Sequence, residues 1–429
     1  MKAIINNIKG LNKRRLDCLM LYAIVATIPF TISLGNLAII LAFVYVLFTS
    51  KKEFLKQLKK YPRALGLPLI YFLLILISAL FSNDIKTGMK LVDKSLFFLL
   101  IPVSLIGLSK QVDYKKVLLF FAKSTFIATI ILLLYSTFIT IKTGEIDRLF
   151  FHSFTQLFDQ HPVYFSIYQA LSVFVLVKYK HIGTTANRLY LSMIAFLVLG
   201  IFLSASKIII SIFCVLFTYQ LIKEIKKGPK RYLSITAFLG VIIILFTIPK
   251  LKTRFIEGFE YDLNFSPTNE VAKATVFNYE DKHLISDIEI RYIFNSIGLY
   301  HFFDDNKILF GYGTGDVQDY LDLYYMQYGL APNWYEGYNI HNQYFQVLLS
   351  SGFFVFLFFL YYIFYNVKQA LRRRDELSLF FLIIVLLVFF VESVLMRNKG
   401  VVVFVFFTSF FLIKNLKHED SYTRNTRNS

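Results

Sequence analysis

Cysteine is nearly absent, with Cys18 and Cys214 both lying inside apolar runs, so neither a disulfide framework nor a thiolate metal site is suggested. Both read as small buried residues. Charge is also scarce: 17% of the chain is charged against 56% hydrophobic and 18% aromatic, a balance that water-soluble proteins of 429 residues rarely show. No block of basic residues interleaved with aromatics occurs outside the flanks of the apolar runs, which leaves little support for nucleic-acid binding. No tight carboxylate cluster with metal-ligand spacing is present, and no internal repeat is evident. The basic stretch before the first apolar run is followed by no small-residue cleavage site, so that run is expected to be a retained anchor.

What the chain has in abundance is long apolar runs, many close to the roughly 17 to 25 residues that cross a bilayer as helix. Twelve spans are expected, centred near residues 25, 42, 73, 101, 130, 171, 197, 215, 240, 354, 386 and 407. The expected fold class is an all-α integral membrane protein with one large, partly helical loop between helices 9 and 10. Residues 1–249 hold helices 1–9, 250–340 the loop, 341–414 helices 10–12 and 415–429 a tail. Basic residues flanking spans stay on the cytoplasmic side, and with both termini placed there 30 of the 46 lysines and arginines fall on that side. The short connections on the other side hold eight. The large loop lies on that outer side and carries 14 acidic and seven basic residues, so the overall charge of +18 reflects mainly the cytoplasmic flanks.

Within the loop, "SDIEIRYIFNSIGLYHFF" opens with Ser286 and has Glu289 three residues later, the reciprocal capping-box arrangement, and carries Arg291 in its first turns. "DVQDYLDLYYMQYG" has Asp316 as an eligible N-cap and stops at Gly329. Between them "FGYGTGD" holds Gly311, Gly313 and Gly315. A glycine-permitted tight turn is the ordinary reading, and close backbone approach to a ligand the functional one. Asp304 and Asp305 read as a solvated helix end. The aromatics around Trp334 and Tyr338 fit either an interfacial belt or a surface on which sugar rings stack.

"YNIHNQYFQVLLSSGFF", Tyr338 to Phe354, sets His341 and Asn342 at the mouth of the tenth span. With Asn339 as cap, His341 would occupy the first helical turn, where the positive end of the helix dipole favours a neutral imidazole able to take a proton from a hydroxyl. The alternative is a histidine that simply bonds headgroup or loop carbonyls. In the short turn "SASK", Lys207 places a cation on the same outer side, where it could equally contact headgroups. Glu392 and Arg397 bracket the outer end of the eleventh span, where they could line the acceptor path; the preferred reading is that they pair with each other at the interface.

His341-Asn342 followed by Gly352, Arg291 followed by "NKILFGYGTG", "SASK", and "HPVYFSIY" from His161 together resemble the O-antigen ligase and polymerase superfamily. The resemblance covers the span pattern, the position of the large loop and these four motifs. Two positions depart from it: Val355 stands where the family has a second glycine, and Lys207 where it usually has arginine, whose planar fork binds phosphate bidentately. The resemblance implies a GT-C-type fold in the bacterial inner membrane. It implies transfer of a glycan from an undecaprenyl-diphosphate carrier to an acceptor hydroxyl on the periplasmic face, with inversion and without metal or other cofactor. The implied partners are that lipid-linked donor, a lipid A core sugar or a glycan as acceptor, and membrane lipids. The implied catalytic residues are His341 and Arg291, with Lys207, Asn342, Gly311, Gly313, Trp334 and Tyr338 binding substrate. A polymerase, a protein O-oligosaccharyltransferase and a lipid-linked glycan transporter stay open as alternatives.

Overall fold

The computed structural model describes residues 2–49, 51–108, 112–179, 187–204, 206–224, 285–332 and 334–427, with short pieces between 236 and 278. Among the described residues the chain is helical throughout, without strands: α1 (Lys2–Thr27), α2 (Ile32–Thr49), α3 (Lys51–Lys60), α4 (Pro62–Leu80), α5 (Ile85–Ser95), α6 (Phe97–Leu108), α7 (Tyr114–Thr143), α8 (Phe151–Thr155), α9 (Pro162–Tyr179), α10 (Asn187–Leu203), α11 (Lys207–Glu224), α12 (Asp287–Asp304), α13 (Val317–Gln327), α14 (Gln343–Arg372), α15 (Glu376–Val388) and α16 (Asn398–Arg427). Among the described residues seven stretches are long and apolar enough to cross a membrane: α2, α4, the α5–α6 pair, α7, α9, α14 and residues 398–417 of α16. Helices α10 and α15 are apolar but shorter. The protein is thus an all-helical, multi-pass membrane protein. Most of the expected ninth span, near residue 240, lies outside the described residues.

Helices α9 and α16 form the centre, with 83% and 89% of their apolar windows buried inside the protein. Lipid tails are as apolar as leucine, so helices in a bilayer associate through close packing and buried polar links rather than through water exclusion. Such a link crosses three helices here: Gln169 on α9 donates to Thr129 on α7 at 3.2 Å, and Ser204 at the end of α10 donates to Gln169 at 3.4 Å. Gly200 faces the same amide, and a Cβ there would come within 2.1 Å of it, so glycine is what allows α10 to approach.

At one end of the bundle, the acidic pair between α14 and α15 gathers three lysines. Asp375 bonds Lys414 at 2.8 Å, and Glu376 bonds Lys178 at 3.1 Å and also Lys223. Because these lysines sit near the C-terminal ends of α9 and α11 and within the C-terminal half of α16, the opposite end is where those helices start and α15 finishes.

That opposite end carries the large loop, which has a hydrophobic core of its own around Phe294, Tyr325, Tyr328 and Ile340. Tyr325 and Tyr328 are fully buried, so much of the loop's aromatic richness builds this core, a role distinct from both the belt and the sugar platform expected from sequence. Asp304 is an exposed helix end, as expected, and accepts from Asn269 at 2.7 Å; Asp305 differs, being half-buried and accepting from the hydroxyls of Tyr312 (2.8 Å) and Tyr324.

The glycine segment docks into a break in α14. Gly352 has φ +79°, leaving the helix, and the amides of Tyr312 and Gly313 donate to the freed carbonyls of Leu349 and Ser350 at 2.8 and 3.1 Å. Phe353 N returns a bond to Ile308 O at 2.9 Å. A Cβ on Gly352 would lie 2.2 Å from Leu309 O, and one on Gly311 2.6 Å from Leu349 O, so both positions require glycine for backbone-to-backbone approach. Asp316 does not cap α13 with its side chain. Its carboxylate instead accepts from the amides of Asn83 and Asp84, both at 2.7 Å, tying the loop to the α4–α5 turn.

Candidate functional site

Four separate parts of the chain meet at the loop-bearing end around a cavity of about 570 Å³. The first is the start of α12. Ser286 accepts from Glu289 N at 3.3 Å while Glu289 accepts from Ser286 N at 2.7 Å, completing the expected capping box. With the helix fixed from its first turn, Asp287, Ile290, Arg291 and Phe294 recur at helical spacing and share the face that lines the cavity.

Arg291 is held on three sides. Its Nε donates to Val391 O at 3.1 Å, one terminal nitrogen donates to Asp287 O, and the other lies 3.8 Å from the Glu392 carboxylate. The planar guanidinium is oriented by these contacts before any ligand arrives.

His341 lies outside α14, contrary to the expected position in its first turn. Asn342 is the N-cap, its Oδ1 accepting from the amides of Tyr344 and Phe345 at 3.0 and 3.2 Å. Asn339 does not cap the helix. Its side chain accepts from His341 N at 2.9 Å and supports a left-handed backbone at His341, φ +51°. Non-glycine residues rarely adopt that conformation, and it persists only where the surroundings impose it. The dipole argument for a neutral imidazole therefore loses its geometric basis. What faces the ring instead is Glu392, whose Oε2 is 3.5 Å from Nδ1, and Phe294, stacked at 6.0 Å between ring centroids.

Glu392 is the residue that links these groups. The expected pairing with Arg397 is replaced by pairing with Arg291 and His341. Burial by itself would raise its pKa, but the hydrogen bond and charge of His341, with His161 and Arg291, outweigh that and hold the carboxyl below its ordinary value. The segment carrying Glu392 is fastened to the start of α14 by Gln343, whose amide N–H donates to Phe389 O at 2.7 Å and whose side chain accepts from Leu395 N at 2.6 Å.

The third wall is the start of α9. His161 precedes Pro162, a residue whose fixed φ suits the first helical position. Its ring packs edge-on against His152 at 4.9 Å, and burial drives its pKa down to about 4, so it is neutral at ordinary pH. Its Nδ1 is buried without a hydrogen-bond partner among the described residues. Arg397, just before α16, completes the lining. It is exposed to the cavity, and its guanidinium makes no ion pair or hydrogen bond among the described residues.

Of the eight residues expected from sequence, the structure brings His341, Arg291 and Tyr338 to this cavity. Lys207 stands one residue removed, its ammonium paired with Asp287, which does line it. Asn342 is buried, and its amide oxygen is committed to the helix cap. Trp334 packs on the loop core edge-on to Tyr335, outside the lining. Gly311 and Gly313 line a different cavity, beside α4.

Glu392 and Arg397 also line the cavity, the less favoured of the two readings their sequence position allowed, and His161 joins them without having been given a role. His161 had a usable signal, a histidine immediately before a proline-started span on the outer side. Among the described residues no group of three or more His, Cys, Asp or Glu is placed to hold a metal ion. No protein-family model and no curated protein matches the chain.

Proposed function

We propose that this protein is a membrane glycosyltransferase of the O-antigen ligase type, moving a glycan from an undecaprenyl-diphosphate carrier to an acceptor hydroxyl. The observation that supports it most directly is the convergence of Arg291, His341, Glu392 and Arg397, from separate segments, on one cavity at the end of the bundle. A diphosphate leaving group needs cations, and an acceptor alcohol needs somewhere for its proton to go. Both are provided within one space.

In this reading Arg291 and Arg397 bind the diphosphate, and Arg397 takes the place expected of Lys207, because it is the guanidinium with no competing carboxylate among the described residues. As the anomeric carbon–oxygen bond breaks, its electron pair passes to the diphosphate oxygen, where fixed cations stabilise the growing charge. The acceptor oxygen forms the new bond from the opposite face, giving inversion, and its proton goes to His341. Glu392 beside Nδ1 selects the tautomer that leaves Nε2 as the accepting nitrogen and stabilises the imidazolium that results. The scheme requires no metal or cofactor from the residues named.

The preferred acceptor is a lipid A core sugar. A growing repeat-unit chain or a protein hydroxyl would use the same groups, and acceptor identity alone separates the three. The cavity is assigned to the periplasmic face of the inner membrane, where sugars are available only on lipid carriers; the excess of basic residues on the other side supports that orientation. A transporter of lipid-linked glycans is the rival class, but transporters place ionisable residues near the bilayer midplane, and here they gather at helix ends.

Purified protein mixed with lipid-linked donor and acceptor in detergent is the test. The expected result is a new glycoside together with undecaprenyl diphosphate. Failure to form any glycoside under these conditions would overturn the assignment.

A further inference from the structure

The second cavity, about 620 Å³, lies between α4, the glycine segment and the broken part of α14. It has no lining residue in common with the first. Helix α12 separates them: Arg291 is in its second turn, while Lys307 on the second cavity follows its C-terminal end, and its 18 residues span about 27 Å.

The lining is apolar on the side that faces outward, with Ile77, Phe81, Leu309, Phe310 and Phe354 at its edge. Phe81 and Phe310 are 88% and 77% exposed, and the apolar exposure continues down α4 at Leu73 and down α14 at Leu357. Both of those helices are long and apolar enough to cross a membrane, so the cavity opens onto the surface that hydrocarbon covers. Among the described residues one cation stands at its rim. The Lys307 ammonium lies over the Tyr320 ring at 5.7 Å and has no ion pair among the described residues. The one acid in the lining, Asp316, is already occupied by the amides of Asn83 and Asp84.

We infer that this cavity binds one anionic phospholipid of the surrounding bilayer, with an acyl chain between α4 and α14 and its phosphate against Lys307. The volume falls within the range of ordinary small-ligand sites. The Lys307 ammonium, without an ion pair among the described residues, supplies the charge-assisted contact that an anionic headgroup phosphate takes. The occupant would rest on Gly311 and Ser351, where the loop enters the α14 break, and so brace that junction. The inference stands independently of the glycosyl-transfer reading.

Native mass spectrometry of the detergent-purified full chain, titrated with phosphatidylglycerol, tests it. One equivalent of phosphatidylglycerol is expected to be retained about tenfold better than phosphatidylcholine, the preference one charge-assisted contact gives. Lys307→Gln is expected to erase that preference, and Ile77→Trp, which fills the cavity, to lower retention of both lipids. His341→Ala should retain the lipid as wild type does, so loss of transfer and loss of lipid are separable. Unchanged preference in Lys307→Gln would overturn the site, and that surface variant decides even where Ile77→Trp fails to fold. Displacement by equimolar undecaprenyl phosphate would show an isoprenoid carrier as the occupant, and displacement by millimolar inorganic phosphate a headgroup-only site; either overturns the inference.

Discussion

The two ends of this bundle use their charges in opposite ways. At one end Asp375 and Glu376 hold Lys414 and Lys178 at 2.8 and 3.1 Å, with Lys223 also in contact. At the other, Glu392 stands 3.8 Å from Arg291 and 3.5 Å from His341, and Arg397 has no partner among the described residues. Closed pairs fix helices against one another. Spaced pairs beside an unengaged guanidinium leave electrostatic attraction available to a ligand, at the cost of holding an acid in a buried place.

If that contrast is right, substitutions at the two ends should fail in different assays. His341→Ala is expected to have the largest effect, lowering glycan transfer by about 10²- to 10⁴-fold, the usual contribution of a positioned acid–base group, with an unchanged melting temperature. A normal rate in a purified transfer assay would remove His341 from the chemistry. Asp375→Asn should do the reverse. Leaving Lys414 unpaired in a nearly buried position is expected to cost about 3 kcal/mol, seen as a lower melting temperature with normal turnover per folded molecule.

Arg397→Gln probes ligand attraction at the open end. Loss of one charge-assisted contact should raise KM for the lipid-linked donor roughly 10- to 100-fold, while the fold is unaffected. Lys207→Gln should have a smaller effect, a few-fold at most, since its charge is shared with Asp287 in a pair half open to solvent. Lys207→Gln and Arg397→Gln having equal effects would return Lys207 to the role expected from sequence.

The smallest effect concerns acid. Because burial holds His161 at about 4 against an ordinary 6.5, the unfolded chain takes up its proton first as pH falls. Stability from this residue is complete above about 6.5 and declines toward 4. A thermal-melt series should show that slope, and His161→Gln should flatten it.

Seven of the twelve expected spans are matched among the described residues, because a bilayer imposes length and apolarity on every helix that crosses it, and the capping box at Ser286 and Glu289 was legible because both partners sit within one turn. The side that gathers Arg291 and His341 was legible from the basic flanks. Glu392 was legible only as a charged residue near Arg397; its true partners are 101 and 51 residues away in sequence, and nothing in the spacing encodes that meeting. Asn339 and Asn342 are both eligible caps, and the choice is made by tertiary bonds that hold the chain at Gln343. The glycines signalled close approach without saying to what, and the answer is a helix of the same chain.

The break at Gly352 has a consequence for how the chain can vary. An unbroken helix transmits each inserted or deleted residue as a rotation of about 100° along its whole length. Here the piece from Gln343 to Ser351 is clamped by the loop's amides on one side and by Phe389 and Leu395 on the other, while the piece after Gly352 buries Val355, Phe359 and Tyr362 in the bundle and leaves Phe354, Leu357 and Phe364 exposed. The break separates the helical register of the two pieces. A residue added or lost after Gly352 therefore need not turn His341 away from Glu392.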